Sequence, residues 1–136
     1  MGLLIDASFF IAQERGQLDL GSGAIGRPNE TLLVSAITAS ELLHGVHRAQ
    51  TPLQAKRRAA FVEAILDRFP VLEVDLKAAR IHAQLWAELA KKGIAIGMHD
   101  LWIGAQAVTL GYGVLTANER DFRRIPGLEV HAVNQV

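Results

Sequence analysis

The chain has 136 residues, of which 50% are hydrophobic and 21% are charged, a composition that excludes intrinsic disorder and fits one domain over residues 1–136. It contains no cysteine, which excludes a disulfide scaffold, an iron–sulfur cluster and a cysteine nucleophile and favours a reducing, cytoplasmic location. The 14 basic side chains balance the 14 acidic ones, so no broad phosphate-neutralising surface is expected. No apolar run approaches the ~18 residues of a membrane span.

Apolar runs and capping residues predict strands that alternate with helices. Strands are expected over 3–5, 32–34, 71–74, 113–116 and 128–133, and helices over 8–15, 38–48, 52–68, 76–92 and 100–110. Residues 16–31, rich in Gly, Pro and Asn, are expected to form a loop. Short, almost wholly apolar strands between helices predict a three-layer α/β/α sandwich around a central, mainly parallel sheet.

Four acidic residues stand where predicted strands end or helices begin. Asp6 directly follows the first strand, and Glu41 lies one turn into the helix after the second. Asp100 opens the helix before the fourth strand, and Asp121 lies just beyond that strand. Each acid also has an ordinary structural role available. Asp6 and Asp100 could cap helices, Thr38-x-x-Glu41 fits a capping box, and Asp121 could be a surface turn residue.

Taken together, the four acids indicate a cation site. Ligand sites of parallel sheets lie outside the carboxyl ends of the strands, so these acids are expected to share one rim. Two carboxylates ~5 Å apart repel by about 3 kcal/mol at an effective dielectric near 20, and a bound cation would offset that repulsion. Oxygen ligands without cysteine suit Mg²⁺ or Mn²⁺. The chemistry indicated is metal-assisted hydrolysis of a phosphodiester.

Five blocks of the chain resemble the PIN-domain family, and their order and spacing are similar to those of the VapC-type toxin ribonucleases. The blocks span residues 3–8, 34–45, 96–107, 115–122 and 125–128. The resemblance covers essentially the whole chain. One departure is Gly104, where relatives often have alanine, and only a packing consequence is expected from it.

The resemblance implies a site, a substrate and partners. It implies that the catalytic residues and the ligands of Mg²⁺ or Mn²⁺ are the four acids Asp6, Glu41, Asp100 and Asp121, supported by hydrogen bonds from Ser8, Thr116 and Asn118. It also implies that the protein cleaves RNA, forms a homodimer and is neutralised by a cognate antitoxin protein that covers the active site.

Basic residues supply candidates for RNA contact. Three arginines flank Asp121 and could position a phosphate beside the metal: Arg120, Arg123 and Arg124. His99, beside Asp100, is a further candidate for RNA contact. The basic run 56–58 is interpreted as solvated helix surface.

Other patterns favour structural readings. The G-x-G-x-x-G letters of residues 21–26 lack a preceding strand and a following helix. In Glu41-x-x-His44-x-x-His47 the histidines are expected to face solvent, because no second Glu-x-x-His motif completes a di-iron site. Trp86 and Trp102 lie in helical apolar patterns and are expected to make core or dimer contacts.

Two alternative functions stay open from the residues. One is a non-catalytic PIN-like module that binds RNA or protein. The other is a receiver-like or phosphatase-like domain in which Asp6 accepts a phosphoryl group. The second is disfavoured because no second Asp follows at the position that a phosphatase motif needs.

Overall fold

The computed structural model describes residues 1–17 and 30–133, so the 21–26 glycine pattern lies outside the described residues. The strands are β1 (Gly2–Ile5), β2 (Thr31–Ser35), β3 (Val71–Leu72), β4 (Gly113–Thr116) and β5 (Glu129–Ala132). The helices are α1 (Ala7–Glu14), α2 (Ala36–His47), α3 (Pro52–Arg68), α4 (Leu76–Lys91) and α5 (Met98–Leu110), with a 3₁₀ turn at Phe122–Arg124.

The five strands form one sheet in the order β3-β2-β1-β4-β5, and every pairing between them is parallel. The chain moves outward from β1 through β2 to β3, and then crosses back to place β4 on the other side of β1. The direction of winding therefore reverses between β1 and β4, which is where sheets of this kind place their ligands. The predicted three-layer α/β/α fold is confirmed.

Separate layers of helices cover the two faces of the sheet. Leu3 and Ile5 of β1 pack into the core beneath α1, α2 and α3, whereas Leu4 packs into the core beneath α4 and α5. All three side chains are at most 2% exposed. A strand buried on both faces has no polar face, which is why β1 reads as a continuous apolar run.

Three helix ends agree with the sequence signals. Thr51 accepts a hydrogen bond from the Gln54 amide at the start of α3, and Asp75 accepts one from the Ala78 amide at the start of α4. Gly111 ends α5 in the left-handed region, with φ +69°. These local contacts satisfy free backbone groups at helix ends.

Two helix starts differ from the prediction, and both differences concern the acids. Helix α2 begins at Ala36 because Ser35 caps it by accepting from the Ile37 amide, so the proposed Thr38–Glu41 capping box is wrong. Helix α5 begins at Met98, so Asp100 lies within its first turn and does not cap it. Asp6 occupies the N-cap position of α1 but makes no side-chain capping bond. The carboxylates of the rim are therefore not engaged in capping.

Other expectations needed adjustment. Strand β3 ends at Leu72 and not at Val74, and α1 begins one residue earlier than predicted. Trp86 is 54% exposed, so the core contact expected for it as one of two possibilities is wrong, and the dimer contact stays a prediction. Trp102 is half-buried and stacks on the imidazole of His82, with ring centroids 3.7 Å apart.

Gly104 lies where helix α5 packs closely on the 3₁₀ turn region. A β-carbon at residue 104 would stand 2.5 Å from Cδ1 of Ile125, a side chain that is itself only 3% exposed. Glycine at position 104, where relatives often have alanine, therefore has the packing consequence expected: it leaves room for the side chain of Ile125. None of the helices in the described part of the chain is long and apolar enough to cross a bilayer.

Candidate active site

The acids gather where the winding of the sheet reverses. Asp6 is the first residue after β1, and Thr116 is the last residue of the adjacent strand β4. The Asp6 amide donates to the Leu115 carbonyl at 2.9 Å, so the parallel ladder continues up to Asp6 itself. The sheet therefore holds the backbone of Asp6 firmly at its carboxyl-terminal edge.

Two hydroxyl groups hold the carboxylate of Asp6. Ser8 Oγ donates to Asp6 Oδ2 at 2.6 Å, and Thr116 Oγ1 donates to the same oxygen at 3.0 Å. The backbone amides of Ala117 and Asn118 in turn donate to these two hydroxyl oxygens, at 3.1 Å and 2.9 Å. Asp6 is only 5% exposed, and this network fixes its orientation in spite of that burial.

Glu41 lies on α2, one turn and a half from its start. Its Oε1 atom is buried and has no hydrogen-bond partner among the described residues. Its Oε2 atom lies 3.5 Å from Nδ1 of His99, which is on α5. An unpartnered buried carboxylate oxygen is costly unless something else satisfies it, so Oε1 of Glu41 is suited to bind a cation.

Asp100 and Asp121 approach each other across Gly97. The Oδ2 atoms of both acids lie within 4 Å of the point where a β-carbon of residue 97 would stand. The Gly97 amide also donates to Asp121 Oδ2 at 3.2 Å. Gly97, the residue before α5, therefore holds Asp121 close to Asp100. The sequence analysis did not single out this glycine.

The four acids influence one another electrostatically. The pKa of Asp100 is raised to about 7, first by burial and then by the negative charges of Asp6, Glu41 and Asp121. The pKa of Glu41 is also raised, by burial and by the charge of Asp6, while His99 acts in the opposite direction. These groups share one partly buried space in which they cannot all be ionised without cost.

The residues present fit a hard divalent cation. They supply only oxygen donors, one of them buried without a partner, and the repulsion among them is what a divalent charge would offset. Among the described residues, however, no group of three or more acidic or histidine side chains converges as a ready-made metal site. The acids surround a shared space, and bringing them onto an ion requires local adjustment of side chains.

The remaining residues predicted for the site differ in the contacts that they make. Asn118 contributes its backbone amide, and its side chain is exposed. Arg124 lies 3.9 Å from Asp121 Oδ1, whereas Arg123 pairs with Glu119 at 2.7 Å. Arg120 is exposed and forms no ion pair within the described part of the chain.

The other histidines of the Glu41 motif do not join the site. Both His44 and His47 are exposed, in agreement with the prediction that they face solvent. The histidine beside the acids is His99, on a different helix. Glu41, His44 and His47 therefore do not form a metal site on α2, although they are spaced three residues apart.

Comparison with known proteins identifies close relatives along nearly the full length. Residues 3–128 match the model of the PIN domain family. Ribonuclease VapC1 of Rickettsia felis is 38% identical over 135 residues, covering 98% of each chain. The tRNA(fMet)-specific endonuclease VapC of Salmonella typhimurium is 38% identical over 99 residues, covering 73% of each. The structure of VapBC-5 from Mycobacterium tuberculosis, a member of the VapBC family of toxin–antitoxin systems, superposes with a TM-score of 0.80 at 32% identity and covers 97% of this chain and 98% of that one.

Proposed function

Because this chain belongs to the PIN-domain family, we propose that it is a metal-dependent endoribonuclease of the VapC type, which a cognate antitoxin neutralises. The observation that carries the chemical part of this proposal is that a buried carboxylate oxygen of Glu41 has no hydrogen-bond partner among the described residues. Its buried, unpartnered Oε1 lies beside a second acid, Asp100, at the edge of the sheet where the winding reverses. A binding module that uses no cation would have no reason to keep both groups there.

In the proposed site the four acids Asp6, Glu41, Asp100 and Asp121 hold Mg²⁺ or Mn²⁺. Such an ion supplies a Lewis acid at the scissile phosphate and lowers the pKa of water, which yields a nucleophile near neutral pH. Ser8 and Thr116 hold the Asp6 carboxylate in one orientation by donating to its Oδ2 atom.

The surroundings of the acids provide groups for the RNA. Arg120 is free of ion pairs within the described residues, so we assign it the contact with a substrate phosphate. Arg124 instead neutralises part of the charge of Asp121, and Arg123 that of Glu119. His99 borders the same open hollow as Glu41 and Asp100, and this position suits contact with RNA.

The antitoxin partner is supported by the relatives, which include a member of the VapBC family of toxin–antitoxin systems. We propose that a cognate antitoxin covers the acidic rim and that the protein forms a homodimer, acting in the cytoplasm. The Salmonella relative is named as specific for tRNA(fMet), which makes initiator tRNA the first substrate to test. The similarity to that relative covers 99 residues, a stretch too short to contain all four acids. Other tRNAs therefore belong in the same assay.

The experiment is cleavage of RNA by purified, antitoxin-free protein. Total bacterial RNA and initiator tRNA are incubated with the protein in Mg²⁺, in Mn²⁺ and in EDTA, beside Asp100→Asn, and the new RNA ends are sequenced. We expect discrete cuts that need the metal and are absent from the variant. Asp67→Asn is the matched control, because Asp67 is an exposed acid on α3.

Three outcomes would contradict the proposal. Cutting that persists in EDTA would remove the metal from the mechanism. Cutting by Asp100→Asn at the wild-type rate would show that Asp100 is not needed for catalysis. No cutting of any RNA, together with tight RNA binding, would favour the non-catalytic binding module.

A further inference from the structure

Glu41 lines two separate hollows on the surface. One is the acidic hollow that it shares with Asp100. The other lies between α1, α2 and α3, and three arginines line it: Arg15, Arg48 and Arg58. A single catalytic side chain therefore forms the boundary between an acidic and a basic depression.

The basic depression continues away from the site. A neighbouring hollow between the ends of α1 and α2 and the start of α3 shares Arg15 and Arg58 with the first and adds Arg57. We use the name basic groove for these two adjoining hollows, defined by Arg15, Arg48, Arg57 and Arg58. It begins at Glu41 and ends beyond the first turn of α3.

Basic side chains outnumber acidic ones in the described lining of the basic groove. Its acidic lining residues are Glu14 and Glu41, against four arginines. Within residues 1–17 and 30–133, none of these arginines forms an ion pair. Arg57 is exposed, in agreement with the prediction that the run 56–58 is solvated helix surface. Arg123 and Arg124, the candidates for phosphate contact beside Asp121, each pair with an acid.

The length of the groove suits a nucleic-acid strand. Arg48 caps the carboxyl-terminal end of α2, seven residues after Glu41, which places it about 10 Å further along the helix axis. Each strand of a duplex carries one phosphate per ~3.4 Å of helix axis, and phosphates along an extended strand are spaced more widely, so this distance has room for more than one phosphate. Guanidinium groups bind phosphate oxygens in bidentate fashion, which makes arginine suited to such a track.

We infer that the basic groove binds the phosphate backbone of the RNA on one side of the scissile bond and guides it to Glu41. This inference rests on the proposed function, because it assumes that the strand ends in the acidic hollow. Arg58 is partly committed to the fold, since it donates to the Gly45 carbonyl at 2.9 Å. Arg48 and Arg57 have no side-chain bond within the described residues and are free to contact phosphate.

The test compares two double variants that remove the same charge. Arg48→Gln/Arg57→Gln alters the groove, and Lys77→Gln/Arg80→Gln alters exposed residues of α4, in the helical layer on the other face of the sheet. Fluorescein-labelled bulk tRNA is the probe, and its binding is followed by anisotropy in EDTA between 50 and 200 mM KCl. For single strands the salt slope changes by about 0.7 per phosphate contact. We expect the groove variant to lose about 1.4 from that slope and to bind at least tenfold more weakly at 100 mM KCl.

Cleavage kinetics give the second readout. The groove variant is expected to raise KM about tenfold and to leave kcat within twofold, because the contacts are made equally before and during the reaction. The α4 variant is expected to change neither the salt slope nor KM. Thermal unfolding of both variants checks that they remain folded.

Either of two results would overturn the inference. Equal weakening by both double variants would show a general effect of net charge. Wild-type binding by the groove variant would exclude RNA from the groove, and weaker binding of the cognate antitoxin by the same variant would then assign the groove to that protein. If no RNA is cut but the salt slope still depends on the groove, the proposed catalysis fails and the binding site stands.

Discussion

The hydroxyl of Thr116 donates a hydrogen bond of 3.0 Å to Asp6 Oδ2, joining residues that lie 110 positions apart in the chain. The bond exists because β1 and β4 are adjacent parallel strands, with Ile5 in register with Leu115. It places a neutral donor on the most buried of the four acids at the point where the winding of the sheet reverses. At the carboxyl-terminal edge of the sheet, the pairing of β1 with β4 therefore also positions a residue of the proposed catalytic site.

Replacing Thr116 by valine should weaken the site more than the fold. Valine keeps the shape but removes the donor to Asp6, and groups that orient metal ligands contribute 10–100-fold to metal affinity or activity. We expect kcat/KM to fall by about that factor and the free energy of unfolding to fall by about 1–2 kcal/mol. RNA cleavage and urea unfolding measure the two quantities.

Thr109→Val is the matched control for that change. The Thr109 hydroxyl donates only to the Ala105 carbonyl within α5, far along the helix from the acids. Its substitution should leave cleavage at the wild-type rate. Equal losses of activity in the two variants would show that Thr116 acts through general stability and not through Asp6.

The metal-free protein should be stabilised by Asp100→Asn at alkaline pH. The pKa of Asp100 is raised in the folded protein to about 7 from an ordinary value of 3.8. A raised carboxyl pKa means that ionisation destabilises the folded state, so the stability present below pH 3.8 is lost as pH rises through about 7. Asparagine does not ionise and avoids this loss.

We therefore expect Asp100→Asn in EDTA to exceed wild type by about 1–2 kcal/mol at pH 8, an amount reduced from the full shift because solvent screens the site. Near pH 4 the two proteins should differ little. Chemical denaturation at both pH values measures the difference. A variant less stable than wild type at pH 8 would indicate that the carboxylate has a stabilising structural partner.

Metal binding should depend on pH in the neutral range. A proton on Asp100 competes with the cation, so the affinity for Mn²⁺ should fall about tenfold per pH unit below pH 7. At a concentration of 100 times Kd the ion should add about 2.7 kcal/mol to the stability of the wild-type protein. Thermal unfolding with and without Mn²⁺ between pH 6 and 8.5 measures this dependence, and a pH-independent increase would place the ion elsewhere.

The contact between Gly104 and Ile125 predicts a coupled pair of substitutions. Gly104→Ala gains about 1 kcal/mol of helix propensity but places a β-carbon 2.5 Å from Ile125 Cδ1. We expect the single variant to lie within about 1 kcal/mol of wild type, since the gain and the overpacking oppose each other. In an Ile125→Val background the same change should be clearly stabilising.

A double-mutant cycle on unfolding free energies measures this coupling, which we expect to be about 1–3 kcal/mol in favour of the pair. Valine lacks the Cδ1 atom that the new β-carbon would meet. Strict additivity of the two substitutions would mean that Ile125 moves aside at no cost. Ile103 is the control position, because its valine variant leaves the contact with residue 104 unchanged.

Much of the fold could be predicted because its signals are local. Continuous apolar runs marked the buried strands, and Thr51, Asp75 and Gly111 marked helix ends through contacts with neighbouring backbone groups. The sequence patterns predict starts for α2 and α5 that are two residues too late, because Thr38 and Asp100 resemble capping residues but do not cap these helices. Arg48 could have been found from its spacing, because seven residues correspond to two helical turns from Glu41.

The sequence by itself determined the alternation of strands and helices, and it placed four acids directly after strands or at the start of helices. Only the tertiary structure decided which of their neighbours matter. Strand order set Thr116 against Asp6, the crossing of α5 past α2 set His99 against Glu41, and the packing of α1, α2 and α3 opened a basic groove beside the same glutamate. Contacts of this kind depend on distances between elements, which a pattern of residue types along one chain does not contain.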